Sequence, residues 1–530
     1  MATTLPPKAH SPGQVLPFRQ SLMAMLGMCF VVMMVAIDQT VVGTALPTVV
    51  AELKGFEYYA WVATSYLLAS VITIPIFGRL GDYYGRKPFV VAAIVVFIVA
   101  SVLCGTATSM PALVAARGLQ GIGGGMLVAT AFACIPDLFP DSYVRLRWQV
   151  MFSSAFGIAN AIGPSLGGIL TEYYGWRSVF YVNLPVGLLG LWFVVRHLPR
   201  IRHGDPGTRI RLDWPGAILI AAALGGLQLS VELLPQHGLT KTILALGVGS
   251  VAAFALLLWW ERRCPSPLLP LDMFRNPNLA GLFTLAFLVG VTMFSLLMYA
   301  PLLLQGGFGL SPKDAGLLIT PMVVCITVGS IVNGRLVTRL RDPKVLLYAG
   351  FALLAASTVG VINTHSDTPQ MLIAAYMLLA GLGLGFVMPN LTVFAQENAG
   401  RKNLGIATAL LQSLRMIGGM AGTALVGTIV NASYISGVRE SLRQSDAQQW
   451  FAQLRDPQIL VNPSAHEAFL TQSAGLGTNG AALIDGARLA LVNGIHHGQI
   501  LALAVSLIAL WCVWRMPRVR LSRRPAPAGE

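Results

Sequence analysis

Charged residues are scarce in this sequence, and their scarcity excludes a soluble fold. Asp, Glu, Lys and Arg make up 11% of the 530 residues, whereas 55% are hydrophobic. Ordinary soluble domains carry roughly a quarter charged residues. A water-soluble fold cannot bury so much apolar surface, and apolar runs of spanning length recur with no soluble domain-sized stretch between them. The whole chain is therefore predicted to be one membrane unit.

The sequence also lacks the patterns that carry nucleotide, metal or disulfide chemistry. No GxxxxGK[ST] occurs, which argues against ATP-driven pumping. The six cysteines have no CxxC spacing, so no disulfide framework or metal site is implied. His496-His497 is the only adjacent histidine pair and has no nearby carboxylate, which favours an interfacial role over metal binding. We therefore expect no cofactor, no metal, no catalytic residue and no enzymatic activity.

Hydropathy predicts an all-α polytopic membrane protein with 14 transmembrane helices. The apolar segments of spanning length are 21–45, 61–80, 88–107, 110–133, 147–170, 177–198, 214–234, 240–261, 278–303, 312–334, 345–363, 369–394, 403–430 and 496–516. The first segment is longer than a signal-peptide core and contains Asp38, so we expect it to be retained as a helix.

The distribution of Lys and Arg predicts the orientation of these helices. The formal charge of +14 raises the alternative of nucleic-acid binding. With a cytoplasmic N-terminus, however, 26 of the 36 Lys and Arg residues fall on the cytoplasmic side and 8 on the opposite side. The other two, Arg117 and Arg415, lie inside predicted spans. This asymmetry follows the positive-inside rule, so we predict that both termini are cytoplasmic and that the protein has no nucleic-acid partner.

A glycine-rich, charged turn connects the second and third predicted helices. Gly78 and Gly85 allow the helix ends to approach closely and to turn, and Asp82 can bridge neighbouring helix termini together with Arg86 and Lys87. Such contacts can break and re-form when two bundles move. We interpret this turn as a conformational latch; the alternative is a merely basic loop.

The fourth predicted helix contains Arg117, an expensive residue inside a membrane. Inserting an arginine there costs about 2.5–3.5 kcal/mol, so its side chain should face the protein interior and have a partner. Asp38 is the candidate, because at ~1.5 Å per residue both residues lie roughly 10 Å below the outer surface. The two charges can pair or separate as the conformation changes; the alternative is a static structural bridge.

Small residues recur along the fifth predicted helix. Gly157, Gly163 and Gly167 allow close helix contact, and Pro164 removes a backbone hydrogen bond and predicts a kink. This pattern favours a pliable seal in the outer half of the protein. Generic helix packing is the alternative, because such spacing is common in membranes.

Together these stretches resemble the major facilitator superfamily, and specifically its fourteen-helix drug:proton antiporter branch of EmrB-like and QacA-like exporters. Residues 78–87 are similar to the loop signature of the superfamily, and residues 157–168 to the helix-five antiporter signature. The segment around Arg117 is similar to the helix-four motif tied to proton coupling. In that family the helix-one carboxylate and the helix-four arginine take part in coupling, so the resemblance implies these roles for Asp38 and Arg117.

The resemblance also implies two six-helix bundles around a central cavity, with helices seven and eight inserted between them. The predicted units are a cytoplasmic tail at 1–20, an N-terminal bundle at 21–198, a basic cytoplasmic loop at 199–213, the inserted helices at 214–261, a C-terminal bundle at 278–516 with an extracytoplasmic loop at 431–495, and a basic cytoplasmic tail at 517–530. That extracytoplasmic loop is either a small helical or hairpin cap or a plain spacer.

Candidate substrate-cavity residues are the polar or aromatic groups that interrupt apolar helices, each with helix packing as its alternative role. They are Gln39, Tyr66, Gln120, Asn160, Tyr299, Gln305, Asn390, Gln412 and Arg415. Asp38 is the only firm acid deep in the membrane, and two arginines oppose it. An exclusive polycation pump is therefore disfavoured, whereas a weakly charged, neutral or anionic amphipath fits.

The function expected from these features is proton-coupled efflux of small amphipathic compounds, such as drugs, biocides or dyes, across the bacterial inner membrane by alternating access. The expected partners are the substrate, protons and the lipid bilayer. One alternative is export of fatty acids or an endogenous metabolite within a multi-component assembly, with a periplasmic adaptor docked on 431–495. Another is a proton-coupled uptake symporter. A membrane enzyme is disfavoured, because no nucleophile, acid-base pair or metal cluster is evident.

Overall fold

The chain folds into fourteen long helices across the part that the computed structural model describes. The described residues are 16–53, 59–200, 213–237, 240–264, 267, 271–310, 312–337, 339–400, 403–455, 457–460, 463–475 and 479–517. The helices are α1 Phe18–Leu53, α2 Tyr59–Tyr84, α3 Arg86–Gly105, α4 Met110–Leu138, α5 Ser142–Tyr174, α6 Ser178–His197, α7 Trp214–His237, α8 Lys241–Glu261, α9 Pro277–Leu302, α10 Pro312–Leu336, α11 Lys344–Ile362, α12 Gln370–Ala399, α13 Leu404–Gln444 and α14 Gly480–Arg515.

Each of these helices overlaps one of the predicted spans. Over the described residues, 11 helices are long and apolar enough to cross a membrane. Residue types known to begin helices stand at several of their starts. Asp141 accepts hydrogen bonds from the first backbone N–H groups of α5, and Ser109 and Asn479 do the same for α4 and α14. Gly175 and Gly400 follow α5 and α12 with positive φ, a conformation that favours glycine.

The helices pack as two bundles that repeat one contact pattern. In the first bundle, α1 packs against α4, α5 and α6, and α4 packs against α2 and α3. In the second bundle, α9 packs against α12, α13 and α14, and α12 packs against α10 and α11. Each of these contacts recurs eight helices later along the chain. This repetition is the structural counterpart of an internal duplication.

The bundles meet through contacts that obey the same symmetry. Helix α2 packs against α13, and α5 packs against α10; α4 also touches α13, and α5 also touches α12. Helices α7 and α8 pack against each other outside the two bundles, and α7 touches α2 and α13. The inserted pair therefore lies along one of the two seams between the bundles.

The outer end of the second bundle differs from the predicted spans. Helix α13 continues to Gln444 and α14 begins at Gly480, so much of the predicted loop at 431–495 consists of helix extending from these two spans. At ~1.5 Å per residue α13 is roughly 60 Å long, about twice the hydrocarbon thickness. The apolar run that defines the predicted span ends at the first polar residues, whereas the helix itself continues into the aqueous phase.

The connection between these extensions is a cap whose apolar side chains join the core of the second bundle. It contains short helices at Phe451–Leu454 and Pro463–Gly475. Trp450, Leu454 and Phe469 are buried in the same hydrophobic cluster as Tyr434 of α13 and Leu483 of α14. Tyr434 also donates a hydrogen bond to the Leu454 carbonyl, at 2.6 Å. Of the two predicted alternatives, the helical cap therefore describes this segment, and a plain spacer does not.

We expect Gly418→Ala to destabilise the second bundle. A Cβ at Gly418 would collide with the backbone carbonyl of Phe287 on α9, and backbone cannot move aside as the end of a side chain can. The expected loss is about 1–3 kcal/mol, measured as a lower melting temperature of the detergent-solubilised protein. Gly249→Ala on α8 is the matched control, because no atom lies within 4 Å of its added Cβ. Equal losses in both variants would contradict the packing argument.

Candidate functional site

The Asp38 carboxylate lies at the centre of a buried hydrogen-bond network inside the first bundle. Arg117 Nη1 is 2.7 Å from Asp38 Oδ2. Gln120 Nε2 and Asn183 Nδ2 donate to Asp38 Oδ1 at 2.7 and 2.9 Å. Asp38 is 0% exposed and Arg117 is 3% exposed. Both oxygens of this buried carboxylate are therefore satisfied by hydrogen-bond donors from the first bundle.

Three helices bring these side chains together. Asp38 lies on α1, Arg117 and Gln120 lie one turn apart on α4, and Asn183 lies just after the break in α6 at Val182. Because residues three apart share a helix face, Arg117 and Gln120 both point at α1, and Arg117 Nη1 also donates to Gln120 Oε1 at 2.8 Å. The matched depths that we inferred from the sequence thus correspond to a direct ion pair.

Sequence reasoning did not assign Ser101 and Asn183 to this site. Asn183 Nδ2 also donates to Ser101 Oγ at 2.9 Å, and Ser101 Oγ donates to the Phe180 carbonyl at 2.8 Å. The only available signal was the position of Asn183 in the polar interruption that opens the sixth span. Serine is common in transmembrane helices, so Ser101 carried no signal at all.

Arg117 has further contacts that hold its guanidinium in place. Its Nε donates to the Val62 carbonyl at 3.3 Å, and its Cζ lies 4.5 Å from the ring centroid of Tyr66. An arginine over an aromatic face gains a cation–π attraction that is strongest when the pair is dry. Removing one partner of a buried ion pair costs about 3–5 kcal/mol. The partners of Arg117 therefore hold its guanidinium against α1 and α2.

Asp82 fastens α2 of the first bundle to α13 of the second at the cytoplasmic end. Its Oδ1 accepts the Gly405 N–H at 2.8 Å, and its Oδ2 accepts the Ile406 N–H at 2.9 Å. Arg86 Nη2 lies 2.7 Å from Asp82 Oδ1. An anion at a helix N-terminus receives both the free N–H groups and the positive end of the helix dipole. Gly78 lies beside Ala409 at the same crossing, where a larger residue would collide.

The remaining residues of the predicted latch hold the first bundle together beneath Asp82. Gly85 has a φ of 84°, so a residue with a side chain is strained there. Arg86 forms a second ion pair with Asp137 at the end of α4. Lys87 Nζ donates to the carbonyls of Val195 and Leu198, at 2.8 and 2.6 Å, where α6 ends. The contacts of Arg86 and Lys87 thus hold the cytoplasmic ends of α2, α3, α4 and α6 together, and this part of the first bundle positions Asp82.

A second polar contact between the two bundles lies at the symmetry-related seam. Arg145 of α5 forms an ion pair with Glu397 of α12, with Nη2 2.5 Å from Oε2. Nearby, Gln396 Nε2 lies 3.4 Å from the Phe132 carbonyl, and Gly334 of α10 packs on Val150 of α5. Both seams are therefore closed at their cytoplasmic ends in this conformation.

We expect the Arg145–Glu397 pair to control how readily the cytoplasmic side opens. Arg145→Glu should favour the open form, because it places two carboxylates together, and should reduce transport at least several-fold. The exchange Arg145→Glu with Glu397→Arg should restore most of the activity. The measurement is dye export by cells that express equal amounts of each variant. If the double exchange exports dye no faster than Arg145→Glu alone, the ion pair does not hold the cytoplasmic side closed.

The glycines of the predicted helix-five signature lie at two different contacts. Gly157 faces Thr327 of α10 across the seam between the bundles, and Gly163 packs against Thr40 on α1. Thr40 follows Asp38 by two residues, so α5 touches both the partner bundle and the helix that carries the carboxylate. Gly167 is buried. The side chain of Pro164 lies outside the described residues.

The predicted cavity residues divide into two groups. Tyr66 and Gln120 belong to the Asp38 network, and Asn390 pairs its amide with Asn333, at 2.7 Å, within the second bundle. Gln120 and Asn390 are thus satisfied by polar groups of their own bundle, as is usual in membranes, and Tyr66 joins the network through its ring face, over which Arg117 lies. The other six are Gln39, which is exposed, Gln412, which is buried, and Asn160, Tyr299, Gln305 and Arg415, which are half-buried.

An exposed ion pair joins α1 to α6 at the outer surface. Glu52 Oε1 accepts from Arg177 Nη1 at 2.5 Å, and Glu52 Oε2 accepts from Trp176 Nε1 at 2.8 Å. The hydrogen bond from Arg177, with that from Trp176, lowers the pKa of Glu52. Because both charged side chains are well exposed to solvent, this pair contributes little stability.

Two duplicated bundles, many apolar spans and a membrane-buried ion pair define the protein as a multi-pass membrane transporter and not an enzyme. The family model of the Major Facilitator Superfamily matches residues 28–423, and the chain belongs to that family. The match extends from the first span into α13 and includes Asp38, Arg117, Asp82 and Arg145.

The similar proteins include a multidrug transporter and an antibiotic resistance protein. The chain is 34% identical over 406 residues to the Multidrug transporter protein MdtP of Bacillus subtilis, covering 75% of this chain and 73% of that protein. It is 28% identical over 402 residues to the Methylenomycin A resistance protein of Streptomyces coelicolor, covering 76% and 84%. These names and bacterial sources agree with the predicted drug-exporter branch and inner (cytoplasmic) membrane.

Among solved structures, the human organic anion transporter MFSD10 superposes with a TM-score of 0.60 over 93% of this chain and 99% of that one. At 13% identity this likeness shows the shared fold alone.

Proposed function

We propose that the protein exports small amphipathic compounds, including drugs, in exchange for protons. The observation that carries the proposal is the Asp38 carboxylate, buried in the membrane and held by Arg117, Gln120 and Asn183. Protonation of Asp38 removes the charge that these donors stabilise, so the network weakens when the proton binds. The names of two relatives, a multidrug transporter and an antibiotic resistance protein, support export.

The proposed cycle links this proton to the closed cytoplasmic seams. Thr40 lies two residues after Asp38 on α1 and packs against Gly163 of α5. The same helix α5 carries Arg145, which forms the ion pair with Glu397. A change at Asp38 therefore reaches a helix that contacts both bundles. Substrate leaves while the outer side is open, and the proton is released when the cytoplasmic side opens. The membrane potential contributes about 2.3 kcal/mol per charge per 100 mV, enough for roughly a 50-fold gradient.

Everted membrane vesicles test the direction and the driving force. We expect vesicles that contain the protein to accumulate an amphipathic dye when their lumen is acidified, and an ionophore that dissipates the proton gradient should abolish the accumulation. Dye accumulation that persists without any proton gradient would contradict coupling. Proton-dependent movement of substrate only out of the lumen would favour the uptake symporter instead.

A further inference from the structure

The middle of the membrane contains one positive charge without a partner among the described residues. Asp38 and Arg117 neutralise each other. Arg415 of α13 has no carboxylate near it in the described part of the chain, and its buried Nε has no hydrogen-bond partner. Counted from Leu404 at ~1.5 Å per residue, it lies roughly 16 Å inside the helix, near the middle of a ~30 Å hydrocarbon layer. A charge at such depth is a functional-site candidate.

The helix surface around Arg415 shows where its side chain is directed. Ala409 packs on Gly78 of α2, and Gly418 packs on α9. Gln412 shares the side of Ala409, because successive positions three or four apart line one face. Arg415 follows Gln412 by three residues and precedes Gly418 by three, so it lies between the side facing α2 and the side facing α9. These two helices belong to different bundles, and Arg415 is half-buried between them.

A second unpartnered polar group lies one turn away. Gln412 is 0% exposed, and neither its Oε1 nor its Nε2 has a hydrogen-bond partner among the described residues. Buried amides are rarely left without partners, because the lost hydrogen bonds to water are not replaced. A guanidinium and an amide N–H, both with free hydrogen-bonding capacity, are the donors that a carboxylate requires. The positive charge of Arg415 also disfavours a cationic substrate at this position.

We propose that Arg415 and Gln412 bind the acidic head group of a monoanionic amphipath, so that carboxylates are a preferred substrate class. This inference rests on the proposed function and names its substrate. The guanidinium of Arg415 pairs with the carboxylate, Gln412 Nε2 donates to one of its oxygens, and the apolar chain lies between the bundles. Export of one anion in exchange for one proton moves two charges along the inside-negative potential, whereas export of a neutral molecule moves one.

Binding to the purified, full-length protein tests the head-group site directly. The probes are 11-(dansylamino)undecanoate and its methyl ester, which share the dansyl group and the undecanoyl chain and differ in the head group, a carboxylate in one and an uncharged ester in the other. The readout is dansyl fluorescence during titration. We expect Arg415→Gln to weaken acid binding about tenfold or more and to change ester binding less than twofold. Arg415→Lys should retain most of the acid affinity. Gln412→Leu should weaken acid binding several-fold without removing a charge.

Ester binding and a single symmetrical elution peak show that each variant is folded. Equal losses of acid and ester affinity in Arg415→Gln, or a wild type that binds both equally, would overturn the proposal. If Arg415→Gln does not fold, Gln412→Leu decides by the same comparison of acid with ester. The proposed function fails separately, when wild-type vesicles show no proton-dependent accumulation of any dye. Vesicles that accumulate dye while the purified protein does not bind the acid would refute this inference alone.

Discussion

Replacing Asp38 with asparagine is expected to reduce dye export to the level of cells without the transporter. The asparagine side chain keeps the shape of aspartate but cannot exchange a proton, so no proton gradient can be coupled through it. Export is measured as dye efflux from energised cells, and growth in the presence of biocides gives a second measurement. Wild-type rates in Asp38→Asn for every compound would mean that the coupling group lies elsewhere.

The same change should also lower stability, and a second substitution separates the two effects. Asp38→Asn leaves the guanidinium of Arg117 buried without a counter-charge, at a cost of about 3 kcal/mol or more. Adding Arg117→Gln removes that charge, so the double variant should regain thermal stability but not transport. If stability and transport returned together, the ion pair would be a static structural bridge.

Glu52→Gln is the matched control for Asp38→Asn. It makes the same chemical change on the same helix, but at an exposed carboxylate with one ion-pair partner, Arg177. We expect export and melting temperature close to those of the wild type, since exposed pairs contribute little. A large loss of transport in this variant would show that α1 tolerates no carboxylate change, and the result at Asp38 would then not be specific.

Asp82→Asn is expected to open the cytoplasmic side and to reduce export at least tenfold. The asparagine side chain would have one acceptor oxygen in place of two, and its NH₂ group would face either a backbone N–H of α13 or the guanidinium of Arg86, all of them donors. Losing charge-assisted hydrogen bonds at this seam costs on the order of 3 kcal/mol. That corresponds to about a hundredfold shift in the equilibrium between closed and open forms.

The shift can be measured as a distance between spin labels. Tyr84 and Leu336 are both exposed at the cytoplasmic ends of their bundles, and we expect the label separation to increase in Asp82→Asn. The control is Asp342→Asn, because Asp342 also accepts a hydrogen bond from a backbone N–H, that of Lys344 at 3.1 Å, but within the second bundle. An unchanged distance distribution in Asp82→Asn would exclude a latch role, even if export were impaired.

Features that depend on residues close in sequence were well predicted. The positions of the long helices follow from hydropathy, because a membrane helix must be apolar over its own length. The Asp38–Arg117 contact follows from depth, because Arg117 was predicted at the same level as Asp38 and an intramembrane arginine needs a partner. The MFS fold follows from motifs of about ten residues, each confined to one turn or one helix.

Features that depend on distant residues were not predictable in the same way. Arg145 and Glu397 are separated by almost half the chain, and each alone is an ordinary loop-flanking charge. Asn183 could be recognised as a donor to Asp38 only once α6 was placed beside α1. The helical extension of α13 to Gln444 was missed because hydropathy measures contact with lipid, whereas that segment is stabilised by packing against α14 and the cap.

In the proposed cycle, the location of the Asp38 network determines how the proton changes sides. Asp38, Ser101, Arg117, Gln120 and Asn183 all belong to the first bundle, so a rigid tilt of one bundle against the other leaves every one of their contacts intact. Alternating exposure then changes which aqueous phase can reach the carboxylate, and leaves its immediate neighbours as they are. Under this proposal, proton exchange is governed by the path of water to a fixed group, and mutations that widen or block that path are expected to alter pumping without touching the ion pair.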